Sequence, residues 1–446
     1  CNLDSSNITS AKDPSAILGC KSNTAYDGAV NDCIIEIVDC NATNTNVWNK
    51  EDVGGTYSAA GGIVGNVYTG DTIRIENCSF KSGSVKSNPK ENQSYSAKDC
   101  NVGGIIAIVN CFDNIIINNC IVDDVQMDNT SENDSCANVG GVLAAVNGVK
   151  NVSITNCNVN KLNAHTLSGD LGGLCNLGYL GYQTEKVNIE NCNVSNSELY
   201  SEATYEKLSA NSNTAGLIVN SYGSGNLTIK NCDLNNTNVT GAGCNVAGIL
   251  GYVQGFNENY IENCNVVDST IKSLTEGGTI ESGSSAGACS VTGGIIATVN
   301  GGSTTIKDCD VTNSKLDGRG VNIAGIVGVN ITSQTIEDCD VIDCIITDED
   351  MTTVYNYMAR GGITATSHSE GIYKNCTVKN TNMNVRANSI GGIAGANVNK
   401  TTMEACIVDN VNIYAGKHAT ELSNSSGYYY YPASDTVAGI IGTINC

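Results

Sequence analysis

Cysteine is the residue whose spacing in this chain invites a chemical reading. Twenty-two occur among 446 residues. Twelve recur at intervals of 30 to 45: Cys1, Cys40, Cys78, Cys120, Cys157, Cys192, Cys232, Cys264, Cys309, Cys339, Cys376 and Cys406. Thiols at this density suit soft metals, electron relay or disulfides. A zinc site needs ligands paired about two to four residues apart, and no His or second Cys stands beside these twelve at such spacing. Stacked in register, equivalent thiols would lie ~4.8 Å apart, while a disulfide wants Cβ atoms ~3.5–4.5 Å apart and steeply twisted. The expectation is a file of reduced thiols packed as small hydrophobes.

Acid–base chemistry is thinly supplied. Cleaving a polysaccharide needs carboxylates with a basic residue on one strand face. The chain has four Arg, at 74, 319, 360 and 386, and three scattered His, at 165, 368 and 418. No aligned carboxylates beside an Arg stand out in register. Arg360 with His368 is the one basic pairing, expected in a solvated insert. Asp348, Glu349 and Asp350 offer hard oxygens of the kind Ca²⁺ takes, without the spacing of a calcium loop. No cofactor is therefore expected. Tyr428, Tyr429, Tyr430 and Tyr431 run together, and since strand neighbours alternate sides, at least two should be exposed. They form a candidate contact patch for a second subunit, a glycan or a cell-surface ligand.

These residues are set in a repeat. A Gly preceded by Gly or Ala opens each unit at Gly62, Gly104, Gly141, Gly173, Gly216, Gly248, Gly294, Gly325, Gly362, Gly392 and Gly439. An aliphatic residue follows every one, and a small residue nearly always comes two further on, as in Ile63 and Gly65 or Ile295 and Ala297. The Cys comes 14 to 16 residues after the Gly in nearly every unit, with a hydrophobe three places before it and Asn or Asp usually just before. Hydrophobes recur two and seven residues after it, then the length varies freely. A period of this size marks a solenoid, with variable inserts on one edge. Three sides per unit, each feeding the same side of the next, predict an all-β, right-handed parallel β-helix with three strands per rung. About a dozen rungs at ~4.8 Å make a rod of ~55 Å. The whole of 1–446 reads as one such unit.

The motif resembles that of the GLUG-motif repeat proteins. It stands here as GGIVG at Gly61, AGIVG at Ala324, GGIAG at Gly391 and AGIIG at Ala438, with IENC at Ile75, IKNC at Ile229 and ITNC at Ile154. The resemblance implies an exported, surface or adhesin-like protein, and no common catalytic residues carry over from it. Ile in place of Leu and the long inserts depart from the pattern and leave the partner open.

Of the remaining cysteines, Cys100 with Cys136 and Cys244 with Cys289 precede consecutive Gly pairs, and two disulfides are expected there. The chain starts at a ladder Cys and stops after a first strand, so a longer parent chain or end-to-end stacking is expected. Net charge is −22, from 23 basic and 45 acidic residues. Nucleic-acid binding, which rests on clustered Lys and Arg, is excluded on these grounds, and no apolar run reaches the ~20 residues of a membrane span. The cysteine content points to an oxidising, extracellular setting. The functional expectation is a non-enzymatic rod, a filament subunit or adhesin stalk. The alternative is a β-helix that binds or cleaves carbohydrate.

Overall fold

A computed structural model describes the chain except residues 11–12, 22–32, 51–56, 88–98, 131–136, 179, 182, 203–211, 275–290, 320–321, 349–357, 388, 398, 416–435 and 445–446. Among the described residues every regular element is a strand, and each strand pairs in parallel with its equivalent one repeat away, as Ile106–Asn118 does with Val64–Glu76. The architecture is a parallel β-helix. One rung reads Ile296–Asn300 and Ser303–Lys307 in sheet I, Val311–Thr312 and Lys315–Gly318 in sheet II, then Asn322–Ala324 in sheet III. Sheet III has 11 strands. Sheet II has 21, nine levels giving two short strands and three giving one continuous strand, twelve levels in all.

Three faces are present, but they divide the repeat differently from the spacing. The run just after the Gly pair and the run ending in Cys were expected as separate sides; instead, both belong to sheet I. At Val64–Glu76 they form a single strand of 13 residues. The remaining face is the short strand before the Gly pair, such as Asn245–Ala247. Inserts 51–56, 88–98, 131–136, 203–211, 275–290, 349–357 and 416–435 all come between sheet II and sheet III in the chain.

The corner between sheets III and I explains the glycines. A Cβ on Gly294 would lie 1.9 Å from the carbonyl oxygen of Gly325 on the next rung, and one on Gly104 would lie 2.1 Å from that of Gly141. The backbones touch there, so only hydrogen fits. The small residue two places on has a related cause. It does not narrow the main core; it faces the far side of sheet III. Ala297 packs there with Ala247, Val291 and Val329, and a Cβ on Gly328 would meet Val291 at 2.2 Å. The main core takes the Ile before each Cys and the hydrophobes two and seven residues after it, such as Ile261, Val266 and Ile271, all fully buried.

Two left-handed corners per rung bend the path. The residue before each Cys from Cys40 to Cys406 has φ between 51° and 55°, and the residue four after the Cys has φ between 46° and 57°. Asn and Asp fill most of these positions because their short polar side chains tolerate this region. Outside, the corner amides join rung to rung: Asn119 Nδ2 donates to Asn77 Oδ1 at 2.8 Å, and Asn263 to Asn231 at 2.9 Å. Gly294→Ala should destabilise the rod by ~3 kcal/mol or more through this clash. Gly439→Ala, where nothing stands within 4 Å, should be nearly neutral. Urea unfolding of the two variants measures the difference.

Candidate functional site

The twelve cysteines stack on successive levels in one file, buried from Cys40 to Cys376, with Cys1 exposed and Cys406 half-buried at its ends. Backbone bonds place them on successive levels, with Ser79 N–H on Cys40 O, Ile121 N–H on Cys78 O and Asn158 N–H on Cys120 O. None of the twelve is in a disulfide. From Cys78 to Cys406, each Sγ lies 3.1–3.6 Å from the carbonyl two residues back. It also lies 3.4–4.0 Å from a carbonyl of the preceding rung. A thiol just past a left-handed corner thus adds a weak donor to carbonyls that the bend turns inward. Burial pushes Cys264, Cys309 and Cys339 well above the usual thiol range, so they stay protonated and poorly nucleophilic.

A second file follows the second corner, and the spacing analysis missed it. Five residues after the Cys stand Thr45, Ser197, Thr237, Ser269, Ser314 and Thr381, all buried. Ser269 Oγ donates to Val267 O at 2.7 Å and accepts Thr237 N–H at 3.1 Å. Cys344 occupies the same column, its Sγ 3.2 Å from Ile342 O, and burial pushes it up to about 11. One of the cysteines outside the ladder is thereby a hydroxyl substitute. The column was legible: Ser, Thr or Cys recurs at that offset.

A third file lies in sheet III. Asn138 Nδ2 donates to Asn101 Oδ1 at 2.9 Å, and Asn245 Nδ2 to Asn213 Oδ1 at 2.7 Å. Between them Asp170 accepts the N–H of Asn213 at 2.8 Å and the amide of Asn220. Burial pushes this carboxyl from 3.8 up to about 7. Among the described residues no group of three or more His, Cys, Asp or Glu is arranged to hold a metal.

Arg360 is not in a solvated loop. It sits in sheet III between Ile323 and Ile390 of the same inward column and is 0% exposed. Its Nη2 and Nε lie 3.1 and 3.4 Å from Asp348 Oδ2, which also accepts Arg386 N–H at 2.8 Å. Burial pushes the carboxyl up and the guanidinium down, each resisted by the other's charge. The Asp348 carboxylate therefore faces a cation supplied by the chain itself. His368 follows the sheet I strand Thr364–Ser367 and is only partly exposed. Glu349 and Asp350, the partner thiols Cys136 and Cys289, and Tyr428 to Tyr431 lie outside the described residues. Cys100 and Cys244 are buried at the start of sheet III strands.

Outside, carboxylates do stack in register, which the spacing had not shown. Asp310 and Asp340 lie on adjacent levels of sheet II, but they serve the backbone: Asp340 N–H donates to Asp310 Oδ1 and Thr377 N–H to Asp340 Oδ1, both at 3.0 Å. No Arg joins them. On sheet I, Glu190, Lys230, Glu262, Lys307, Glu337, Lys374 and Glu404 alternate in sign on consecutive levels. Lys230 Nζ meets Glu262 Oε2 at 2.8 Å, a cross-strand pairing that favours one register.

No family model, curated protein or solved structure matches the chain.

Three variants test the buried charged groups. Truncating one partner, in Asp348→Leu, should cost about 3–5 kcal/mol, whereas Asp348→Leu with Arg360→Met should recover most of it; a double-mutant cycle by urea unfolding reads the coupling. For Asp170, a carboxyl raised on folding stabilises the native state below its unfolded value near 3.8 and loses that contribution as pH rises through about 7. Between about pH 5 and pH 8 the parent should therefore lose more stability than Asp170→Asn, which has no such titration.

Proposed function

We propose that this protein is a non-enzymatic structural rod of the cell exterior, a filament subunit or the stalk of an adhesin. The observation that carries the reading is the uninterrupted stack: three sheets pair rung on rung through twelve levels of sheet II. A load along such a rod is shared by many parallel backbone hydrogen bonds, and repeat stacks of this kind gain stability from every neighbour interface. The buried polar files support the same reading, because their thiols, hydroxyls and amides are bonded along the axis. The extracellular placement rests on the resemblance to GLUG-motif proteins. It does not rest on cysteine content, since the ladder thiols are unpaired. No helix of the described residues is long and apolar enough to cross a membrane.

The reading includes end-to-end association of such rods, strand edge to strand edge. A second reading, carbohydrate binding, draws on an exposed aromatic and polar strip on sheet II. Negative-stain electron microscopy of the native material tests the first. Fibres with an axial repeat close to a rod length of ~55 Å are expected. Isolated, non-associating rods at high protein concentration would remove the filament part of the proposal.

A further inference from the structure

Eight residues after five successive ladder cysteines stand Trp48, Lys86, Asp128, His165 and Tyr200. Their strands pair in register, Trp48 with Lys86, Lys86 with Asp128, Asp128 with His165, and His165 with Tyr200. Five side chains of differing chemistry thus form one straight column on the outer face of sheet II, ~19 Å long. Each is fixed by a neighbour. Lys86 Nζ meets Asp128 Oδ2 at 2.8 Å, and Gln126 Nε2 donates to the same oxygen at 3.0 Å. His165 Nε2 lies 3.2 Å from Glu202 Oε1, and its ring stacks on Tyr200 with centroids 5.6 Å apart and planes at 16°. At the other end Lys50 Nζ stands 5.3 Å above the ring of Trp48, which is 39% exposed.

We infer that this column is a binding site for a single extended glycan chain lying along the rod axis. A sugar ring presents an apolar C–H face and a rim of hydroxyls. The column offers aromatic faces at both ends, and between them an ammonium, a carboxylate and an imidazole already held in place, so little side-chain freedom is lost on binding. Ser84 and Asn163, two residues earlier on their strands, extend the polar rim. The rung pitch of ~4.8 Å is close to the advance of one sugar in an extended chain, so successive rings meet successive levels. The charges also fit: Lys50 and Lys86 stand against Asp128 and Glu202, a balanced strip on a chain of net charge −22. The inference gives residues to the carbohydrate-binding reading and does not depend on whether rods assemble.

Trp48 is the sole tryptophan, so its emission reports on the column directly. The full chain would be titrated with chitohexaose, cellohexaose and hexagalacturonate, and with the disaccharide of each. A saturable change in emission is expected with at least one hexasaccharide, bound about tenfold or more tightly than its disaccharide because it spans several levels. The neutral and acidic arms decide which glycan class is preferred. Tyr200→Ala should weaken binding about tenfold or more, as loss of an aromatic anchor does. Lys272→Ala, in the same column two levels past Tyr200, should leave the titration unchanged. Silence toward all three hexasaccharides, equal affinity for hexasaccharide and disaccharide, or an unaffected Tyr200→Ala would each overturn the assignment. Equal loss in Lys272→Ala would overturn it too, by making the effect a property of the surface at large.

Discussion

Every feature of this protein depends on a close approach of backbone to backbone at the corner between sheets III and I. There the glycine of one rung lies under the carbonyl of the next, near enough that a methyl group at Gly62, Gly173 or Gly294 would stand about 2 Å from that oxygen. This contact sets the rung spacing at one edge, and the parallel ladders set it everywhere else. Once the pitch is uniform, any side chain repeated at a fixed offset becomes a straight file. The thiol, hydroxyl and amide files are three consequences of one constraint.

A narrow interior enclosed by parallel strands has few ways to satisfy polar groups at its bends. The left-handed corners turn carbonyls inward, and a bulky hydrophobe beside them would leave no added donor. A short side chain bearing S–H or O–H fits the space and reaches the carbonyl. That accounts for Cys at one corner and for Ser, Thr and, once, Cys344 at the other. Arg360 and Asp348 place a buried ion pair in an interior that is otherwise mostly apolar. Burying two charges gains little net stability, but the pair joins the end of sheet II to sheet III at a single rung among many similar ones, where stacking in the wrong register is the competing outcome.

The outer faces are free of the packing constraint and carry the chain's individuality. On sheet I the alternation of Glu and Lys neutralises each level against the next. On sheet II the stacked Asp310 and Asp340 are occupied with backbone N–H groups, which removes them from the acid–base roles their alignment would otherwise allow. The column from Trp48 to Tyr200 differs from both in combining aromatic faces with paired polar groups.

The repeat made the fold legible because side chains that must meet their own equivalents leave a period in the sequence. Gly62 to Gly439 and Cys1 to Cys406 needed only counting, and the hydrophobes around each Cys gave the core. The sequence by itself thus determined the stacking, the thiol file and the inward columns. Which runs share a sheet was decided only by the fold: the bend within Val64–Glu76 keeps its ladder, whereas the Gly corner breaks it, and composition alone does not separate these two bends. The place of Arg360 was likewise hidden, since its strand is a three-residue segment after a long insert and only Ile323 and Ile390 alongside reveal that it points inward. The same holds for His165. It looks isolated in the sequence, and it gains Tyr200 and Glu202 only when the next rung is laid beside it, because contact across rungs joins residues some 35 positions apart.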